Sequence, residues 1–584
     1  MSTSTRHDNP VTVIHRLADH SLNRRKMVAG SAAVAVGTAL PTGMPSVFAQ
    51  DATATSGEPV SGGRIVMGLI QEPGQLNDFF NGQSGSFISV LTVDPLFVAN
   101  TAGEYMPVLA SELPTPENGG ISEDNLTITY RLQEGLTWSD GEPFTADDIV
   151  FTWEVYENPE STPSVGAEYS LVESVTKIDD LSVEVKMTQI NPMYLELWQQ
   201  VLPKHKFDST AVTQEHEQAR IPLGTGPFVI TEWKTGDQIT LERNANYREE
   251  GKPYLDGMTI KITPQKDAAI ASFINGELDY LYFIVTGDLP VLTEAQDNGD
   301  GVVVWVDDGG TSVEWLWLNN ATTGDPSTPH PVLGDKAIRE AMDYGVDRQV
   351  IIDEVLGGFG TLETSFIFSG WARVEVPPTP YDPDKARQIL DDAGWVEGDG
   401  GIREKDGVRA SLKYQTIAGD QVRELYQQVV QQNMKDIGIE LNIENVPSNT
   451  IFGSYQEGGI LARGEFDILM SRAGYEVDPF DWVSLFTTEQ IASEENPSGN
   501  TYTFYSNPDV DELAKEALTT LDRDTRQAVY DQIVAIVNED RPAIALYRSA
   551  KAEAWRDHLK GVGTDFFRDR GALYSAADWY IDEA

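Results

Sequence analysis

The sequence predicts an α/β protein made of lobes with mixed β-sheets. Short alternating, β-branched segments recur along the chain, and helical segments with clear start and stop residues become frequent in its second half. Some strand segments are separated by helices, as in parallel βα units, whereas others follow one another directly, as in antiparallel sheets. The 584 residues suggest about three or four domains. We find no repeat of fixed period, so we do not expect a solenoid or a propeller.

Strands are predicted where short segments alternate or carry many β-branched residues. In chain order they are 64–70, 126–132, 182–187, 228–233, 238–243, 258–262, 439–443 and 466–470.

Helices are predicted from residues typical of helix starts and ends. Thr145 is the expected N-cap of the first, with Asp148 at its third position completing a capping box. Another is expected to open at Asp382-Pro383 and to end at Gly394, since Asp, Pro and Gly have these positional preferences. The remaining predicted helices are 335–344, 348–356, 421–437, 509–521 and 525–540.

The composition excludes several classes of protein. The chain has 92 Asp and Glu against 42 Lys and Arg, a net charge of −50, and no cysteine. Without cysteine there can be no disulfide scaffold, cysteine-ligated zinc or iron–sulfur site, or cysteine nucleophile. We expect neither nucleic-acid nor anionic-membrane binding, because such surfaces repel a strongly acidic protein. At 40% hydrophobic residues the chain is too apolar for a disordered acidic protein.

The first 49 residues are typical of an export signal. They carry five basic and two acidic residues, a net charge of +3, which leaves −53 on the remaining 535. Arg24 and Arg25 precede a short apolar run, and a small-residue cleavage site lies near Ala49. This order predicts a secretory signal of the twin-arginine type and a periplasmic or extracellular protein. Residues 50–62 read as a flexible tether, and without cysteine a lipid anchor of the lipoprotein type is excluded.

A search for catalytic motifs gives little. Four histidines follow the signal, namely His205, His216, His330 and His558, and none lies in a metal-binding spacing. The nucleophile elbow and the phosphate-binding glycine loops are absent, and residues 224–227 precede a strand instead of a helix N-terminus. Carboxylate pairs suited to glycoside hydrolysis must occur by chance in so acidic a chain. We therefore expect no enzyme activity, no cofactor and no bound metal.

Several segments, taken in order, resemble one known family. Residues 129–148 carry the most specific pattern, running from Thr129-Tyr130-Arg131 to Asp147-Asp148. Further matching landmarks are 62–65, 72–77, 202–205, 224–228, 338–348, 386–395, 436–439, 466–468, 478–479 and 526–547. Over about residues 62 to 584 the chain resembles the extracellular solute-binding proteins of peptide/nickel-type ABC importers, family 5, which include dipeptide- and oligopeptide-binding proteins.

The resemblance implies a two-lobed periplasmic-binding-protein fold of type II, with a hinge between the lobes and an extra domain inserted in the first. It places the discontinuous first domain at 60–97, 224–322 and 546–584, the insertion at 98–223 and the second lobe at 323–545. It also implies a mechanism: a peptide or similar small solute is buried between the lobes, and the closed form is presented to ABC permease subunits. We expect a monomer.

The resemblance suggests site residues as well. In peptide-binding members an aspartate three residues before the acidic residue of an acidic-Pro pair anchors the ligand's α-ammonium. Counted from Asp478-Pro479, that position is Tyr475, whose neutral phenol does not supply a charge-assisted bond. Glu476 is adjacent and could take this role. Tyr475, Glu476 and Asp478 are therefore candidate ligand contacts, and the alternative is that they only shape the loop.

Other candidates follow from their place in the family pattern. Trp371 and Phe368 lie in a segment where family members often touch ligand. A strand that enters the crossing between the lobes carries Trp315, Trp317 and Asn319. Alternation puts the two tryptophans on the same face of this strand, and that face lies either in the core or in the cleft. Arg472 could meet a ligand carboxylate or form a structural ion pair.

Two other functions remain open at this point. One is a secreted hydrolase that uses paired carboxylates, and the other is a solute sensor on the same fold. The ligand itself is open too, between a peptide, a sugar, an opine and a metal chelate.

Overall fold

The computed structural model describes ten ranges of the chain. They are 59–80, 86–163, 167–282, 284–307, 310, 312–322, 325–474, 477–497, 499–565 and 571–582. The predicted signal, with Arg24, Arg25 and Ala49, lies outside them, as do most of the tether and the candidates Tyr475 and Glu476. Within these ranges no helix combines the length and the apolar character that crossing a membrane requires.

A seven-stranded mixed sheet forms the first lobe. Its central strand, Arg64–Leu69, pairs in parallel with Gly257–Ile262 and Tyr280–Leu281 and buries Ile65 and Met67 completely. The strands lie in the order Val302–Asp307, Lys551–Arg556, Tyr280–Leu281, Arg64–Leu69, Gly257–Ile262, Gln238–Arg243 and Phe228–Lys234. The helices of this part of the chain are Ser86–Ser89, Lys266–Ile274 and Leu289–Asp297, with 3-10 turns at Thr286–Asp288 and Gly571–Asp578. A further short helix, Glu217–Arg220, lies at the end of the insertion.

A three-stranded antiparallel sheet forms the inserted domain. Its strands lie in the order Thr127–Arg131, Ser182–Met187 and Val172–Asp179, beside helix Ala146–Glu157 and 3-10 turns at Ala167–Leu171 and Lys204–Lys206. A small hairpin, Phe97–Ala99 with Tyr105–Pro107, belongs to the same region.

The capping box predicted for the helix of the insertion is confirmed. Asp147 N–H donates to Thr145 Oγ1, and Thr145 N–H donates to Asp148 Oδ2. Asp148 also accepts hydrogen bonds from the indole of Trp138 at 3.3 Å and from Lys204 N–H at 3.0 Å. Its buried carboxylate therefore ties the helix to two loops of the insertion.

A five-stranded mixed sheet forms the second lobe, with helices on both faces. Its strands lie in the order Glu440–Ile443, Ser411–Gln415, Ile468–Gly474, Ser312–Leu318 and Ala543–Arg548. Helices Lys336–Gly345, Pro383–Asp392 and Gln421–Asp436 pack on one face, and Phe480–Ser484, Pro508–Ala517 and Arg523–Asp540 pack on the other. These sheets and helices confirm the α/β fold with mixed sheets.

Shorter elements complete the described ranges. The helices are Arg348–Val350, Ser448–Phe452 and Ile460–Arg463, with 3-10 turns at Asp399–Gly401 and Thr488–Gln490. The strands are Ala321–Thr322, Asp325–Pro329, Val396–Glu397, Arg403–Lys405, Val408–Arg409, Leu559–Lys560 and Tyr580–Ile581.

One predicted helix has a different shape in the structure. The helix expected at 348–356 is a short α-turn, Arg348–Val350, followed by a π-helical turn, Ile351–Val355. In this wider turn the Leu356 N–H donates to the Ile351 carbonyl at 3.1 Å. The adjacent Ile351 and Ile352 are both buried.

The chain passes between the lobes through two adjacent segments. It leaves the first sheet after Val302–Asp307 and enters the second at Ser312–Leu318, and it returns between Ala543–Arg548 and Lys551–Arg556. Ser549 N–H donates to the Ser312 carbonyl at 2.9 Å, so the two crossings lie side by side. We therefore propose to move the expected boundary at 322/323 to the interval between the end of strand Val302–Asp307 and the start of strand Ser312–Leu318, and to place the return at 549–550.

Candidate functional site

The inserted domain meets the second lobe beside the loop that carries Asp478. Asp478 is 5% exposed and accepts two hydrogen bonds from Arg526, at 2.7 and 2.6 Å. Its Oδ1 also accepts the N–H of Phe480, the first residue of the following helix. Burial alone would lower the pKa of Arg526, but the charge of Asp478 and its hydrogen bonds raise that pKa above its ordinary value. The structure thus places the candidate Asp478 in a buried ion pair that fixes the loop.

Trp371 lies at the contact between the insertion and the second lobe. The guanidinium carbons of Arg523 and Arg526 lie 5.0 and 5.2 Å from the centre of its ring. Arg523 also donates to the carbonyl of Gly103 in the insertion, at 3.1 Å. A Cβ atom on Gly103 would come within 3.3 Å of the Trp371 backbone nitrogen, so these two segments approach closely here. Of the candidates, Trp371 and Asp478 are brought together, through Arg526.

Glu196 joins the same contact and is a residue that the sequence analysis missed. It belongs to the insertion and is 8% exposed. Its Oε1 accepts the hydroxyl of Tyr105 at 2.8 Å and the backbone N–H of Asp478 at 3.2 Å. The sequence does contain a signal for it. Residues 193–198 are hydrophobic except for Glu196, and one of them is a tyrosine. A buried carboxylate in such a run must find donors elsewhere in the fold.

A small cavity opens where these parts of the chain converge. Its walls come from the insertion, from the second lobe and from the C-terminal part of the first lobe. The lining residues are Phe97, Val98, Ala99, Tyr105, Glu196, Gln199, Val477 and Tyr574. The space that water-sized spheres can fill is about 20 Å³, enough for one small group. Val477 stands next to the candidates Glu476 and Asp478, so the cavity borders the loop that the resemblance singled out.

Trp315 and Trp317 belong to the core of the second lobe. They are 2% and 0% exposed, and their rings stack with centres 5.3 Å apart. The Trp317 indole donates to Ser471 Oγ at 2.9 Å, whereas the Trp315 indole nitrogen has no hydrogen-bond partner among the described residues. Phe368 is fully buried in the same cluster, edge-on to Trp482 at 5.6 Å. This placement favours the core alternative for the two tryptophans, and Phe368 packs in the same core.

Asn319 also has its polar groups occupied. Its Nδ2 donates to the carbonyls of Gly464 and Phe466, at 2.9 and 2.8 Å, and its Oδ1 accepts the N–H of Ala321. The side chain is 1% exposed and holds the loop that precedes the neighbouring strand.

Arg472 lies on the opposite face of the sheet from Trp315. It is exposed, and in the described part of the chain it forms no ion pair. It stands across from Glu314, which is paired with Arg423 at 2.8 Å instead. The structure therefore does not bring Arg472 together with the tryptophans or with the cavity.

No group of three or more His, Asp or Glu side chains within the described ranges is arranged to hold a metal ion.

The sequence and the fold both have close counterparts among known proteins. Residues 104–494 match the family described as bacterial extracellular solute-binding proteins, family 5 Middle. The oligopeptide-binding protein AppA of Bacillus subtilis (strain 168) is 28% identical over 540 residues, covering 90% of this chain and 93% of that protein. The nickel-binding periplasmic protein of Escherichia coli (strain K12) is 26% identical over 479 residues, covering 80% and 85%.

Two solved structures show the same fold. AppA from Bacillus subtilis in complex with a nonapeptide superposes with a TM-score of 0.72 at 27% identity, covering 90% of this chain and 100% of that one. NikZ from Campylobacter jejuni in complex with Ni(L-His) gives a TM-score of 0.73 at 22% identity, covering 88% and 99%.

Proposed function

Because this chain belongs to the bacterial extracellular solute-binding proteins of family 5, the substrate-binding components of ABC importers, we propose that its own solute is a peptide. The peptide is captured between the two lobes, and the loaded, closed form is what the permease subunits receive. Ligand burial between lobes stabilises the closed state because only that state offers contacts from both sides.

The observation that carries this proposal is the convergence of the insertion, the second lobe and the C-terminal part of the first lobe around a small cavity, which has room for one group of a larger solute. Tyrosine, phenylalanine and glutamine side chains in its wall offer apolar area and hydrogen bonds, the mixture typical of small-molecule sites. The paired crossing segments at Ser312 and Ser549 join the lobes next to each other, as a hinge requires.

A peptide is the solute that the relatives support best. AppA is named as oligopeptide-binding and its solved structure holds a nonapeptide. The nickel-binding relative keeps a metal chelate among the alternatives, and a sugar or an opine would require the same closure. A peptide ligand also suits a wall that offers both apolar and hydrogen-bonding side chains.

The export route, the oligomeric state and the absence of covalent chemistry are part of the same proposal. We expect the chain to be exported by the twin-arginine route to the periplasm or cell envelope, to act as a monomer and to perform no covalent chemistry. A hydrolase would show turnover of a peptide or a glycan, whereas a sensor would bind the solute but support no uptake.

Thermal unfolding of the full chain with defined solute pools tests the proposal. A synthetic tetrapeptide pool should raise Tm, because ligand at about 100 times Kd stabilises the folded state by ~2.7 kcal/mol. Oligosaccharide and Ni(II)–histidine pools serve as comparisons. A rise with only one of those would replace the peptide by that solute, and no rise with any pool would contradict solute binding itself.

A further inference from the structure

A short hairpin of the insertion, which we call the strap, forms one side of the cavity. The strap comprises residues 97–107, with the strands Phe97–Ala99 and Tyr105–Pro107. Four of the eight residues that line the cavity belong to it, namely Phe97, Val98, Ala99 and Tyr105. Its two strands pair with each other and join neither the seven-stranded nor the five-stranded sheet. One small hairpin thus supplies half of the cavity wall without being part of the main sheet of either lobe.

The strap reaches from the core of the insertion to the second lobe. Phe97 packs in the hydrophobic core of the insertion, where its ring centre lies 6.1 Å from that of Tyr130. Ala99, two residues further, is 6% exposed and packs in the core cluster of the second lobe instead. Tyr105 contacts both clusters. The strap therefore leaves the insertion and lies against the opposite lobe.

The turn of the strap, residues 100–104, is tied to both lobes. The N–H and the hydroxyl of Thr101 both donate to Oδ1 of Asp565 in the first lobe, the N–H at 3.2 Å. The carbonyl of Gly103 accepts the hydrogen bond from Arg523 of the second lobe. Thr101, Asp565 and Arg523 are exposed, so water replaces these bonds at little net cost. The turn is thus released more easily than a buried contact.

The cavity is too small for a whole solute. About 20 Å³ of space holds one water-sized group, whereas even a dipeptide has many such groups. A solute therefore enters only if part of the wall moves. Moving the strap enlarges the cavity while the main sheets of both lobes stay intact, because the strap belongs to neither sheet.

We propose that the strap is a lid, whose turn leaves Asp565 and Arg523 when a solute enters and binds them again to hold the closed form. The inference rests on the proposed function and adds a second moving part to it. Rotation of the lobes about the crossings at Ser312 and Ser549 carries the insertion and the first lobe along as one body. The bonds from Thr101 to Asp565 therefore persist during that rotation and break only when the strap itself moves.

A reversible cross-link separates the two movements. The chain has no cysteine, so Thr101→Cys combined with Asp565→Cys introduces a single disulfide that fastens the strap to the first lobe. The control is Glu173→Cys combined with Lys186→Cys, an exposed pair 2.8 Å apart on neighbouring strands of the insertion. Loss of free thiols shows that each disulfide has formed.

Binding of the tetrapeptide pool to the full chain is followed by tryptophan fluorescence after rapid mixing. Oxidation of the Thr101→Cys, Asp565→Cys chain should slow association at least about tenfold, because few molecules then have a movable strap. Reduction with dithiothreitol should restore the rate, and the control pair should bind equally fast in both states. Equal rates in the oxidised and reduced forms would overturn the lid while leaving peptide capture intact.

A single substitution keeps the test decisive if the disulfide does not form. Asp565→Ala removes the acceptor of both Thr101 bonds and should speed release of the bound tetrapeptides by about twofold to tenfold. Asp582→Ala, which removes another exposed carboxylate of the first lobe, should leave the release rate unchanged. Equal release rates in the two variants would also overturn the lid. Absence of binding by the unmodified chain with the peptide, sugar and nickel pools refutes the proposed function together with the lid.

Discussion

Asp478 and Arg526, 48 positions apart in the sequence, form a buried ion pair with two hydrogen bonds of 2.6 and 2.7 Å. Arg526 is 2% exposed and also donates to the hydroxyl of Tyr530. The pair fixes the loop that borders the cavity onto helix Arg523–Asp540, the helix whose Arg523 contacts the insertion.

Breaking this pair should destabilise the second lobe. Asp478→Asn leaves the Arg526 charge buried without its partner, which typically costs about 3–5 kcal/mol. Urea unfolding followed by tryptophan fluorescence measures the loss. Asp384→Asn removes an exposed partner of Arg387 in the same lobe and should change stability by less than about 0.5 kcal/mol. Equal effects of the two variants would contradict a special role for the buried pair.

Removing Arg523 should favour the open form of the protein. Arg523→Ala deletes the hydrogen bond to Gly103 in the insertion and the contact with the Trp371 ring. The two interactions together stabilise the contact by about 1–2 kcal/mol, roughly a tenfold change in the ratio of closed to open molecules. Small-angle X-ray scattering of the ligand-free chain should then give a larger radius of gyration. Arg387→Ala, remote from the contact, should leave the radius unchanged.

A methyl group at Gly224 should disturb the segment that leads from the insertion back into the first lobe. Gly226 N–H donates to the Thr92 carbonyl at 2.8 Å, and a Cβ atom on Gly224 would overlap that carbonyl oxygen. Gly224→Ala therefore forces the backbone apart and should cost about 1–3 kcal/mol. Gly74→Ala is the matched control, because no atom lies within 4 Å of its Cβ position. Equal melting temperatures for the two variants would contradict the close approach.

Asp94 should make stability fall as pH rises through the mildly acidic range. Burial raises the pKa of Asp94 to about 6, although Arg248 acts in the opposite direction. The folded state thus holds a proton that the unfolded state has lost between about pH 4 and pH 6, and stability decreases across this window. Relative to that of Asp94→Asn, the free energy of unfolding of the unmodified chain should fall by on the order of 2–3 kcal/mol over this range.

Urea unfolding at about pH 4, 5, 6 and 7 measures the difference in the free energy of unfolding between Asp94→Asn and the unmodified chain. Asp384 is exposed, so the free energy of unfolding of Asp384→Asn should change with pH in the same way as that of the unmodified chain. A constant difference between Asp94→Asn and the unmodified chain across the series would show that Asp94 does not titrate there.

Local patterns predicted the strands and helices well where neighbouring residues determine them. The strands Ser182–Met187 and Gln238–Arg243 have the bounds expected from alternation, and Thr145 caps its helix as the capping box requires. The π-helical turn at Ile351–Val355 was not anticipated, because the helical pattern does not record how wide a turn is.

The sequence by itself determined the α/β class, the caps of the helices and membership of the family, since these depend on residues close together or on patterns in fixed order. Tertiary structure decided which of the candidate residues come together. Alternation placed Trp315 and Trp317 on one face but did not identify it as core, and only folding brings Glu196 to Asp478, 282 positions away. Burial and charge pairing depend on contacts distant in sequence, so they become visible only once the lobes and the insertion are packed together.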